Sequence, residues 1–149
     1  MPRPANPEAL APQDALVAIM IAMSAADEAI VEAEMTAING VIDLLPAFKG
    51  YDKDRVQQVS ALVGDLFTEE DGIDALIGLV EAALPDHLRE TAYALACDIA
   101  AADGYIEQTE ARLLEIIRQD LRVGRLTAAA IERGARARHQ KMEPRPTAS

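Results

Sequence analysis

The residues best suited to chemistry lie in the stretch AADGYIEQTE, residues 101–110, where Asp103, Glu107 and Glu110 bring three carboxylates into eight positions. Asp-Gly-x-Ile-x-x-x-Glu matches the second half of an EF-hand calcium loop, which uses alternating oxygen ligands, a glycine at the sharp turn and a closing bidentate glutamate. Counting back from Asp103, the two earlier ligand positions are Ile99 and Ala101. Neither carries an oxygen donor, so the stretch is not an EF-hand. Three carboxylates across one turn are nevertheless hard oxygen donors suited to Mg²⁺ or Ca²⁺, with Zn²⁺ a weaker match.

The stretch has a twin 76 residues upstream. ALVAIMIAMSAADEAIVEAEMTAI lies over TAYALACDIAAADGYIEQTEARLL, with Ala25, Ala26, Asp27, Ile30 and Glu34 meeting Ala101, Ala102, Asp103, Ile106 and Glu110. Here too the earlier calcium-loop positions, Met23 and Ala25, are apolar. Glu32 supplies the first copy with a second carboxylate, as Glu107 does the other. The candidate metal ligands are therefore Asp27, Glu32 and Glu34 in the first copy and Asp103, Glu107 and Glu110 in the second.

A purely architectural reading competes with the metal. A helix ending near Asp103 leaves Gly104 for a left-handed turn, Ile106 drops into the core, and Glu110 reaches back to a free backbone N–H as in a capping box. Its charge also favours a helix N-terminus by roughly 0.3–1 kcal/mol. Against this, Val31 and Glu107 are poor capping residues, and Glu28 stands where the second copy has Gly104. Both readings stand, with the capping account the simpler.

These junctions must be carried by helices. Half of the 149 residues are apolar, but there is no Trp and there are only three Tyr and two Phe. Composition thus favours helix over strand. Seven helices are expected, near residues 12–25, 31–45, 52–67, 68–83, 85–102, 107–122 and 127–141. Pro12 suits a first turn and Pro46 stops the second helix; Asp52 is read as a cap and Thr68, followed by Glu69, Glu70 and Asp71, as a strong helix start. Gly124 is read as the stop of the sixth. Gly40, Gly64 and Gly78, inside helices, are expected to let helices approach closely. The fold expected is an all-α compact bundle with two pseudo-twofold related helix-pair halves. Its domain covers residues 12–142, between Pro-rich flexible ends at 1–11 and 143–149.

The doubled Ala-Asp-x-x-Ile-x-x-x-Glu junction, the seven-helix pattern and the run LRETAYALACDIAAADG resemble the tellurite-resistance TerB family over about residues 13–141. The resemblance implies an all-α bundle of two related halves, acidic residues near the junctions able to hold divalent metal, and a link to tellurite and other stress responses in bacteria. The family places Ser or Thr after the junction Ile, where this chain has Val31 and Glu107.

Charge narrows the partners. The net charge of −11 is uneven: residues 1–122 hold 8 Lys/Arg against 23 Asp/Glu, and residues 123–149 hold 6 against 2. An acidic body disfavours nucleic acid. The basic end suits an acidic partner or the chain's own body, with a solvated last helix the simpler reading; protein partners or a homodimer are expected of a binding or scaffold module. Cys97 is the one cysteine, so no intramolecular disulfide forms, and the thiol is expected in the core. The apolar run 15–26 is too short for a bilayer span and reads as a core helix in a soluble, cytoplasmic protein. His87 has no second His or Cys at ligand spacing, and no phosphate loop or nucleophile elbow is present, so no enzyme is expected.

Overall fold

A computed structural model describes residues 10–26, 32–102, 106 and 108–143, with side chains described from residue 35 in the second segment. Among these residues it forms seven α-helices and no strand: α1 (Pro12–Ala25), α2 (Glu32–Leu44), α3 (Arg55–Phe67), α4 (Gly72–Ala83), α5 (Arg89–Ala100), α6 (Gln108–Asp120) and α7 (Arg125–Arg138). Short 3-10 turns at Pro46–Phe48 and Asp86–Leu88 precede α3 and α5.

Helix α1 is the axis of the bundle. Every residue from Asp14 to Ser24 is buried, as a helix apolar on all sides requires. It packs on α2, α3, α4 and α5, while α5 in turn packs on α2, α6 and α7. The two helix pairs that carry the doubled junction, α1–α2 and α5–α6, are therefore joined through their first members. Leu16, Ile19, Met20 and Met23 are fully buried, each contributing roughly 1.5–3 kcal/mol. Ser24 keeps its hydroxyl satisfied by donating to the Met20 carbonyl at 3.2 Å.

The outer end of α1 is fixed by a polar clamp. The Asp14 carboxylate accepts from the Tyr51 hydroxyl at 2.8 Å and from Arg55 Nε at 3.0 Å, and forms a second, close contact with Arg55 Nη2. Gln13 Nε2 donates to the carbonyls of Ala47 at 3.0 Å and Lys49 at 3.1 Å. Burial pushes the Asp14 carboxyl up, but the bonds from Arg55 and Tyr51 and the guanidinium charge outweigh it and hold the group below its ordinary range. Burial and the Asp14 carboxylate push the Tyr51 hydroxyl well up.

Several expected boundaries shift for identifiable reasons. Thr68 does not start a helix; it ends α3. Its N–H bonds to the Asp65 carbonyl, its hydroxyl donates to the same oxygen at 2.7 Å, and α4 begins four residues later at Gly72. Glu69 and Glu70 therefore precede α4 instead of forming its first turn. Asp52 heads a turn, accepting from the Asp54 N–H at 2.9 Å, and α3 starts at Arg55. Gly124 is not the stop of α6 either. Arg122 takes the left-handed conformation at φ 60, and Val123 bonds back to Arg118 and Arg122 to Gln119, a Schellman ending. Gly124 is extended and caps α7 at its N-terminus.

The glycines divide in an unforeseen way. A Cβ added at Gly40, Gly64 or Gly78 meets nothing within 4 Å, so these three do not mediate close packing. Gly64 and Gly78 are exposed. Gly64→Ala and Gly78→Ala are each expected to raise stability by about 0.5–1 kcal/mol, because alanine holds a helix better; urea unfolding checks this, and a loss in either would contradict it. Gly72 is the glycine in close contact, against the carbonyl of Leu66.

Candidate functional site

The described ends of the two junctions meet at one cavity. Ala25 and Ala26, at the start of the first, and Thr109, near the end of the second, line it together. It has a volume of about 550 Å³ and opens between the end of α1, the α3–α4 turn and the outer face of α6. Its base is apolar, formed by Ala25, Ala26, Phe67, Ile73, Leu113 and Ile116. Glu69 and Glu70 from the α3–α4 turn and Thr109 and Arg112 from α6, all exposed, complete the lining.

Of the six expected ligands, Glu110 is the one whose side chain is described. It lies in the first turn of α6 and is 2 % exposed. Its burial follows from the register of α6, whose inward face reads Glu110, Leu113, Leu114 and Ile117. Asp27, Asp103 and Glu107 lie outside the described residues, as do Glu28, Val31 and the expected left-handed turn at Gly104. Glu32 and Glu34 are in the opening turn of α2. Among the described residues no three His, Cys, Asp or Glu side chains form a group able to hold a metal ion.

Ile106 departs from expectation. It is 38 % exposed instead of buried. Helix α6 begins two residues after it, at Gln108, and the inward positions below that start are filled by Glu110 and Leu113. Helix α5 ends at Ala100, and Ala101 and Ala102 close it with bonds to Cys97 and Ile99.

Cys97 is a core thiol, as expected, 1 % exposed. Burial pushes it up to about 12, with the nearby Glu132 and Asp98 carboxylates adding to the effect. Such a thiol is protonated at neutral pH and unsuited to nucleophilic attack. Beside it the Tyr93 hydroxyl donates to Glu132 Oε2 at 2.5 Å, tying α5 to α7. Burial and that carboxylate push the Tyr93 hydroxyl strongly up. His87 is exposed, as expected. The basic end meets the acidic body: Arg138 Nη2 bonds Asp98 at 2.6 Å, and His139 Nε2 lies 3.3 Å from the same oxygen.

The cavity is not legible in the sequence because its lining comes from three separate stretches, 25–26, 67–73 and 109–116. The one local signal is the run Glu69–Asp71, whose acids were assigned to a helix start.

An acidic, all-α bundle with a repeated helix junction is thus the class that fold and site define. The model of the family described as tellurite resistance protein TerB matches residues 13–133, most of the chain, and the chain belongs to that family. No curated protein and no solved structure matches it. No helix among the described residues is long and apolar enough to cross a membrane.

Proposed function

We propose that this TerB-family chain is a non-catalytic binding module that holds a divalent cation at its acidic junctions and engages partner proteins in a tellurite or stress response of a bacterial cell. The observation that supports the reading is that the described ends of the two junctions share one cavity. Ala25 and Ala26 of the first and Thr109 of the second line it, although 76 residues separate the copies in sequence.

The donor set suits a hard cation. Asp27, Glu32, Glu34, Asp103, Glu107 and Glu110 offer carboxylate oxygens and no thiolate or imidazole, which favours Mg²⁺ or Ca²⁺ over Zn²⁺. Glu110, buried in the first turn of α6, is the candidate ligand whose side chain is described. A bound cation would neutralise part of the acidic charge gathered at the junctions.

One observation favours the second reading, a scaffold without a physiological metal. A carboxylate in the opening turn of α6 also stabilises the positive end of that helix, whatever else it does. Thermal melting of metal-stripped protein with Mg²⁺, Ca²⁺, Mn²⁺ or Zn²⁺ separates the two. An ion at a hundred times its dissociation constant adds roughly 2.7 kcal/mol, and Asp103→Asn and Glu110→Gln are expected to abolish that gain. If no ion raises the melting temperature at millimolar concentration, the scaffold reading holds and the cation reading fails.

A further inference from the structure

The cavity has features that a cation does not use. Its base of Phe67, Ile73, Leu113 and Ile116 is apolar and open to one side, and Ile73 is itself exposed. A volume of about 550 Å³ accommodates two or three apolar side chains of a docked segment. The cavity's exposed lining residues Glu69, Glu70 and Arg112 are charged. Among the described residues, ion pairs elsewhere join Lys53 to Asp43, Arg55 to Asp14, Arg118 to Glu115, Arg122 to Glu81 and Arg138 to Asp98, while Lys49, Arg125, Arg133, Arg136 and Lys141 have none. Glu69, Glu70 and Arg112 form no ion pair among those residues.

The acid is also concentrated. Glu69, Glu70 and Asp71 are consecutive and all exposed, with Asp74 exposed in the next turn. Asp71 and Asp74 sit at the start of α4, where the helix dipole favours them. Glu69 and Glu70 precede that helix and line the cavity instead, so the dipole does not account for their facing it. Among the described lining residues Arg112 is the one cation.

We infer that this groove docks a basic amphipathic segment of a partner protein, its apolar face on Phe67, Ile73, Leu113 and Ile116 and its Lys or Arg residues against Glu69 and Glu70. This deepens the partner-binding half of the function proposed above and is independent of the cation. The mode is an apolar helix face laid into a groove, with charge setting the choice of partner. Net charge selects between occupants. A second copy would bring another −11 to the encounter, whereas a basic segment is drawn to this body from a distance.

The test uses two labelled 16-residue helical peptides with the same leucine face, one with lysine and one with glutamate on the polar face. Binding to the full chain is followed by fluorescence anisotropy in EDTA, so that it reports the groove and not the cation. The lysine peptide is expected to bind at least tenfold more tightly than the glutamate peptide and to weaken as salt rises. Ile73→Asp and the double variant Glu69→Lys/Glu70→Lys should each weaken it at least tenfold. Both change exposed residues, and an unaltered melting temperature confirms that the fold is kept. Equal affinity for the two peptides, or unchanged affinity in the variants, would overturn the inference. So would self-association in sedimentation that Ile73→Asp abolishes, because the occupant would then be a second copy. Loss of the cation response with peptide binding intact leaves this inference standing, and the reverse pattern removes it alone.

Discussion

Replacing Gly72 by alanine is expected to destabilise the protein by about 3 kcal/mol or more, among the largest effects of any single methyl group in this chain. The added Cβ would lie 1.6 Å from the Leu66 carbonyl oxygen and 2.5 Å from its carbon. Both are backbone atoms, so no side-chain rotation relieves the clash, and the turn that joins α3 to α4 must open. Gly72 is buried there, with its own N–H bonded to the Glu69 carbonyl at 3.2 Å. Its φ lies outside the left-handed region, so the requirement for glycine is one of space and not of backbone conformation. Because the turn carries Phe67, Glu69 and Glu70, the variant should also disturb the cavity. Urea unfolding measures the loss. A change under about 0.5 kcal/mol would show that the two backbones do not meet as closely as described. Gly78→Ala, with nothing within 4 Å of its added Cβ, serves as the matched control of opposite sign.

The second large effect is expected at the clamp on the outer end of α1. Asp14→Ala should cost about 2–3 kcal/mol, because the Tyr51 hydroxyl is left without its acceptor and the tie from α1 to α3 is lost. The cost stays below that of a fully buried pair, since the Arg55 side chain is 47 % exposed and regains water when its partner goes. The clamp also predicts a pH dependence. The Asp14 carboxyl is held below the ordinary value of 3.8, so the unfolded chain takes up its proton first as acid is added. The contribution of Asp14 is therefore fully present above pH 3.8 and is lost as pH falls through the lowered value in the fold. Unfolding of wild type and Asp14→Asn, compared from pH 7 downward, should show a stability difference that is constant to about pH 4 and then shrinks. A difference that grows with acid would contradict the assigned sign.

How much of this was legible beforehand depends on the kind of interaction. Helix content and number followed from composition and periodicity, and α1 as a core helix followed from an apolar run that no solvated face interrupts. The family was legible from the doubled junction and the run around Cys97. What failed were features decided by contacts between distant residues. Thr68 looks like a cap until the chain is seen to turn back on Asp65 and Leu66. Gly40, Gly64 and Gly78 are indistinguishable in sequence from Gly72, yet only Gly72 meets another backbone. Arg122 rather than Gly124 takes the left-handed turn because Leu121 and Val123, on either side of it, are both buried. The cavity was invisible for the same reason, being assembled from α1, α3, α4 and α6 and the turn between α3 and α4. Asp14 gave no sign either, because its partners lie 37 and 41 positions away.

The account of function turns on whether the doubled acidic junction holds a cation. Isothermal titration of metal-stripped protein with Ca²⁺ and Mg²⁺, repeated on Asp103→Asn and Glu110→Gln, measures that directly. Saturable binding of one or two ions per chain by the wild type, lost or strongly weakened in both variants while their helical content is kept, is the predicted result. Absence of binding at millimolar ion, or binding that both variants retain, would contradict it.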